Sequence, residues 1–247
     1  MASSNSSHGP FTPITPITLK GAAVISSTTG FFVDRHHNGW LRYNTRDEPL
    51  RHVVELLTAN WTDTTGQYRV IFEKEDFPWL EGGGMFERDG VYYVMLGSDC
   101  CFCQWGGSAR VFIAKHPLAQ WLPLDDVNHC ADGTIAPTSI ANGTVNPCSL
   151  NDVYGTNFTI PAQQFNVFQL HTTHNTTEYV YFGERFRSAE SGWKDEDYQA
   201  WIPLQFDGNG SIVPMQWMDE WTVELHDRDG LSAQFGAQLQ YSGAVVD

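Results

Sequence analysis

The sequence predicts an all-β chain of propeller type. Short strands of about five residues recur in units of roughly 45–55 residues, the period that a propeller blade gives. Glycine, Asn and Asp turn signals separate them, as in Asp34–Gly39, Arg88-Asp89-Gly90 and Asp207-Gly208-Asn209-Gly210. No stripe of apolar residues at helical spacing competes with this pattern.

Taken in order, Ala22–Ser26 and Gly30–Val33 read as strands. Asp34–Gly39 is a hairpin turn from which Trp40–Asn44 returns. Arg51–Leu57 follows, then a loop at Asn60-Trp61-Thr62, and Val70–Glu73 extends the unit to four strands. The next unit occupies residues 77–124. Met85-Phe86 and Val91–Leu96 flank the turn Arg88-Asp89-Gly90, and Ala109–Ala114 runs to His116-Pro117-Leu118. Residues 125–160 are rich in turn formers and read as a loop insertion tied by a disulfide between Cys130 and Cys148. Closing a loop of that size stabilises by about 3 kcal/mol. Gln163–Leu170, Thr177–Gly183, Trp201–Phe206, Ile212–Trp217 and Trp221–Leu225 are the remaining strands, and residues 226–247 read as a tail with room for one more.

Composition narrows the function. Of 247 residues 17% are charged, against roughly 25% in an average domain, and 13% are aromatic, including nine Trp. Aromatic faces with a polar edge suit stacking on neutral sugars, although for any single Trp a place in the core is the better expectation. The formal net charge of −15 excludes a nucleic-acid partner, because phosphate contacts need Lys and Arg. An anionic membrane surface is disfavoured equally, and no run of about 18 apolar residues exists to span a bilayer. Sequons at Asn5, Asn60, Asn142, Asn157, Asn175 and Asn209 favour an extracellular glycoprotein with each site on the surface. The cluster Cys100-Cys101-Phe102-Cys103 lacks a second Cys pair at zinc-finger spacing, so no metal is expected. With five cysteines, at least one thiol stays free or pairs outside the chain. His36-His37 reads as an exposed turn, since successive strand side chains point to opposite faces.

The candidate chemistry centres on Glu81, set between Phe77-Pro78-Trp79-Leu80 and Gly82-Gly83-Gly84. Those glycines permit positive φ or a close backbone approach. A Glu at an apolar strand end beside a glycine turn is either a rim carboxylate bonded to backbone or a general acid in a poorly solvated place.

The Glu81–Leu96 block resembles the third-blade signature of glycoside hydrolase family 43, the five-bladed propellers: a catalytic Glu, small residues, a hydrophobe, Phe, a charged pair, Gly, Tyr-Tyr and an apolar strand. The continuation Asp99-Cys100-Cys101-Phe102-Cys103 resembles the branch of the exo-β-1,3-galactanases, and looser likeness runs over nearly the whole chain. The resemblance implies an inverting glycosidase acting on a polysaccharide or oligosaccharide. Glu81 is then the general acid, paired with a water-activating group at the carboxylate spacing that admits water. In that branch a Gln positions the water; Gln163 is the better match and Gln164 the alternative. Trp79, Trp105, Arg46, Asp47 and Glu184 are candidate substrate contacts, each also readable as an ordinary loop or core residue. Ser3–Ile14 parallels Ala114–Leu124, the last strand of a blade, so a chain lacking its N-terminal blade is expected. One catalytic-type domain over residues 1–247, a monomer without cofactor, is the organisation implied.

One departure matters. The family places an Asp six positions before the turn that corresponds to Asp34–Gly39, and this chain has Thr28 there. The alternative function is therefore a catalytically impaired propeller that binds glycan.

Overall fold

The computed structural model describes residues 2–6, 8–14, 16–21, 25–45, 51–73, 80–98, 106–129, 158–226 and 232–237. The chain divides into a first unit, Met1–Asp99 with Arg110–Asp125, and a second, Cys100–Ala109 with Asp126–Asp247. Among the described residues the regular structure is strand, apart from one 3₁₀ turn at Lys194–Glu196.

In the first unit, β1 (Ala2–Ser3) and β2 (Thr12–Pro13) form a minimal ladder. β3 (Ile25–Val33), β4 (Gly39–Thr45), β5 (Arg51–Leu57) and β6 (Thr64–Glu73) form one antiparallel sheet in sequence order. β7 (Leu80–Arg88), β8 (Val91–Ser98), β9 (Ala109–Ala114) and β10 (Leu122–Asp126) form a second, again in sequence order. The burial patterns explain the order. β4, β5 and β7 are buried over most of their length, whereas β6 and β10 are largely exposed and close their sheets against solvent. Polar side chains on such edge strands discourage pairing with other chains.

Local chemistry sets the turns. Asp34 is buried and accepts bonds from the Trp40 indole at 2.9 Å, the Asn38 side chain at 3.0 Å, and the His36 and Asn38 amides at 2.9 Å each. Burial alone would raise its pKa, but these bonds together hold the carboxyl below the usual range. Asp89 (φ 51°) and Gly90 (φ 75°) are both left-handed, the two-residue hairpin geometry that an Asp-Gly pair predicts.

The second unit contains β11 (Gln163–His171), β12 (Thr177–Glu184) and β13 (Gln199–Pro203) in one sheet, and β14 (Trp221–His226) paired with β15 (Ser232–Ala237). Asn128 clips two segments together. Its amide donates to the carbonyls of Gly107 at 2.7 Å and Ile160 at 2.9 Å and accepts from the Ile160 amide at 2.7 Å.

Four expectations change. Ile25-Ser26 and Gly30–Val33, expected in separate strands, are parts of one, β3, with an irregular register between Ile25 and Thr29, while residues 22–24 lie outside the described residues. The third strand of the second unit is Gln199–Pro203 rather than Trp201–Phe206. Ile212–Trp217 is not a strand: Phe206 and Ile212 form an isolated bridge, Val213 bonds Gln205, and Met215 bonds Val127. Pro214 has no amide hydrogen to continue the ladder. Finally, Gly82-Gly83-Gly84 is not a turn. It lies inside β7 as a bulge, with register broken between Glu81 and Gly84 and φ of 64° at Gly82 and 98° at Gly83.

A Cβ on Gly83 would stand 2.2 Å from the Met95 carbonyl oxygen, whereas one on Gly66, also left-handed, would meet only the flexible Lys20 side chain at 3.5 Å. Gly83→Ala is expected to destabilise the protein by about 3 kcal/mol or more. Gly66→Ala is expected to do so by about 1 kcal/mol. Urea unfolding of the two variants in parallel measures the difference.

Candidate functional site

The bulge in β7 places Glu81, half-buried, opposite Gly97. Two side chains from the neighbouring sheet support it. Arg42 lies in β4 opposite Val54, and His52 lies in β5 opposite Asn44, so they are diagonal neighbours on one face. His52 Nε2 donates to the carbonyl oxygen of Leu80 at 2.8 Å, pinning the peptide immediately before Glu81. Its ring stacks on Phe72 with centroids 4.5 Å apart, and Phe72 stacks on Phe112 at 4.6 Å.

The electrostatics of this cluster are unusual. Arg42 is 1% exposed, and its Nε, Nη1 and Nη2 meet no hydrogen-bond acceptor. Burial pushes the guanidinium down to about 9, opposed by the charge of Glu81. It stays a cation at neutral pH. Burial, then the Arg42 charge, push His52 down to about 3 against the Leu80 bond. His52 is therefore neutral with its proton on Nε2, and Nδ1 is buried without a partner. Neither Arg42 nor His52 was singled out from the sequence. The available signal was a polar residue inside an apolar strand, Leu41-Arg42-Tyr43 and Arg51-His52-Val53, which does not say what the side chain faces.

In the second unit, Gln163 and Glu184 are register partners on β11 and β12, and Gln164 lies opposite Gly183. Gln163 is half-buried at the strand start. Gln164 is fully buried, and neither Oε1 nor Nε2 of its amide has a hydrogen-bond partner. A register break follows between Gln164 and Asn166. Glu184 is ion-paired with Lys194. Asn60, Asn175 and Asn209 are exposed in turns. Tyr93 is core, stacked on Phe86 at 4.8 Å. Trp79, Trp105, Arg46, Asp47, Cys130, Cys148, Asn142 and Asn157 lie outside the described residues.

No protein-family model and no curated protein matches the chain. Solved structures do. A family 43 β-1,3-galactosidase is similar at a TM-score of 0.65 and 16% identity, over 89% of this chain and 39% of that one. A second, solved with galactodeoxynojirimycin, is similar at 0.56 and 21%, over 79% and 46%. The exo-β-1,3-galactanase of Clostridium thermocellum is similar at 0.60 and 15%, over 95% and 52%. The chain thus spans between 39% and 52% of the length of these proteins. At such identity the likeness is one of fold. The chain has the propeller type of fold of these family 43 enzymes, represented among its described residues by two four-stranded blades, a three-stranded sheet and shorter pairs.

The state of His52 has a measurable consequence. Between its folded value of about 3 and the ordinary value of 6.5, the unfolded chain takes up a proton that the folded protein refuses. The stabilisation is therefore complete above pH 6.5 and is lost as pH falls toward 3, with a slope approaching about 1.4 kcal/mol per unit. His52→Gln is expected to flatten that slope in urea titrations between pH 4 and pH 7. In the unsubstituted protein the His52 ring carbon shifts stay at their neutral values down to pH 5.

Proposed function

We propose that this chain is a glycoside hydrolase acting by inversion on terminal β-1,3-galactosyl linkages, with Glu81 as general acid. The observation that carries the reading is the placement of Glu81. It sits on a bulged strand, its preceding carbonyl held by His52, and it is coupled to a buried cation that has no hydrogen-bonded partner of its own. Galactose-cleaving proteins are among those that share the fold.

The chemistry follows from the charges. Glu81 gives its proton to the departing glycosidic oxygen, and negative charge grows on its carboxyl as the bond breaks. The Arg42 guanidinium is already fixed and desolvated beside that carboxyl. It stabilises the charge that develops without reorganising solvent at the moment of reaction. Water attack from the opposite face of the sugar needs an oriented acceptor. The resemblance assigns that role to Gln163, with Gln164, whose amide is enclosed, as the alternative. An amide orients water rather than removing its proton outright. Exposed sequons at Asn60, Asn175 and Asn209 support an extracellular glycoprotein, and a monomer is the proposed state. Thr28, where the family has an Asp, favours the second reading, a glycan binder with impaired turnover.

Glu81→Gln is expected to reduce galactose release from β-1,3-galactan by about 10²–10⁴-fold, beyond any loss of stability from leaving the buried Arg42 charge unopposed, which circular dichroism at the assay temperature monitors. Wild-type rates in that variant would remove Glu81 from the chemistry. Arg42→Met is expected to lower kcat more than it changes KM, with Arg42→Lys recovering part of the loss. Retention of β-1,3-galactan without any release of galactose by the unsubstituted chain would establish the second reading instead.

A further inference from the structure

The second unit has a solvent-open cleft of about 370 Å³ that holds none of the candidate catalytic side chains. That volume is at the lower end of the roughly 300–1,000 Å³ of small-molecule sites. Its walls come from four places: the turn between β11 and β12, the start of β12, the end of β13 at Pro203, and β14. Thr172 bridges Leu225 across to β14, and the Thr173 amide donates to the Glu224 carbonyl at 2.9 Å, which joins turn and strand into one surface. The Thr172 and Thr176 hydroxyls are 2.7 Å apart.

Trp221 gives the cleft its apolar wall. Its indole N–H donates to the Trp201 carbonyl at 2.6 Å. The polar edge of the ring is thereby used, and the plane of the ring is fixed. Glu178, Glu224, Thr172, Thr176 and Thr222 also line the cleft. No Lys or Arg lines the cleft, and the one basic neighbour, His174, is 3.8 Å from Glu224. An anionic ligand would therefore meet like charge. A hard cation takes six to eight oxygens when it is calcium, and the cleft supplies two carboxylates. A ligand with a flat apolar C–H face and several hydroxyl donors matches the fixed ring and the acceptors around it.

We propose that this cleft is a carbohydrate-binding site for a neutral sugar, independent of Glu81 and of any hydrolysis. The sugar C–H face stacks on Trp221, and its hydroxyls donate to Glu178 and Glu224. Two sources offer the same chemistry: a free oligosaccharide, and a glycan carried by the chain at the exposed Asn175-Thr176-Thr177 sequon on the rim.

The test uses the full chain carrying Glu81→Gln, so that no probe is consumed. The indole N–H resonance of Trp221, identified by its absence in Trp221→Phe, is followed during titration with β-1,3-galactotriose. A saturable shift is expected, with Glu224→Ala weakening the binding at least tenfold; for Trp221→Ala, which has no such resonance, isothermal titration calorimetry with the same trisaccharide is expected to show no binding. In the otherwise unsubstituted chain, Glu224→Ala leaves the hydrolysis of an aryl galactoside unchanged. A second arm compares chain secreted from a glycosylating host with its Asn175→Gln variant. A Trp221 resonance that differs between them supports occupation by the chain's own glycan. A resonance unmoved by galactotriose and by loss of the sequon overturns the proposal, as does one moved by calcium and not by sugar. Activity lost in Glu81→Gln does not enter this result, so the two readings fail separately.

Discussion

Two backbones approach each other at β3 and β7, and most of the first unit's chemistry follows from how close they come. A Cβ on Gly30 would stand 3.1 Å from the carbonyl oxygen of Gly83. Gly83 itself has φ of 98° and leaves no room for a side chain against Met95. Side chains are excluded from this contact on both strands, so the neighbouring sheets meet through main chain. The extra residue of the bulge then re-aims what precedes it. Gly82 and Gly83 leave the regular ladder just after Glu81, which stays paired with Gly97, and the Leu80 carbonyl accepts from His52. A β-branched residue at either glycine would force the strands apart and dissolve the cluster.

Within the same sheet the protein shows that it can satisfy a buried charge. Glu55 is 0% exposed, yet it accepts from the Tyr43 hydroxyl at 2.6 Å and from the Lys20 amide at 3.0 Å and the Gly21 amide at 3.3 Å. Arg42, the residue next to Tyr43, is as deeply buried and has none of its guanidinium nitrogens hydrogen-bonded. Burial of an unpaired charge typically costs several kcal/mol. Such a cost persists when it serves something other than stability, and the coupled carboxylate of Glu81 is what the charge faces. Gln164 is the counterpart in the second unit: a buried amide without partners at a break in register. Buried polar groups left unpaired are where an account of function belongs.

The strands were legible because period-two alternation and Asp-Gly turns are local signals. The hairpin around Asp89-Gly90 and the strand Ala109–Ala114 needed no tertiary information. What lay hidden depended on face and register. A run such as Gly82-Gly83-Gly84 permits positive φ but does not say whether it makes a turn between strands or a bulge within one. In a strand buried on both faces, Leu41-Arg42-Tyr43 does not reveal that Arg42 faces a carboxylate from another sheet while Tyr43 faces Glu55. Gln163 and its neighbour Gln164 differ in the face they occupy, which the sequence does not reveal. In the structure it is Gln164 that is enclosed without partners. Pro214 was visible in the sequence and should have demoted Ile212–Trp217 from a strand.

The two surfaces proposed to meet sugar rest on different physics, and this limits what each can contribute. Around Glu81 the interactions are charge–charge terms in a buried setting, so they strengthen as charge moves during bond cleavage and bear on the rate. Around Trp221 they are stacking and hydrogen bonds to neutral groups, equal before and during reaction, so they bear on residence of the chain on its polymer. The proposed hydrolase and binder readings therefore differ in the cluster around Glu81 and not in the cleft beside Trp221.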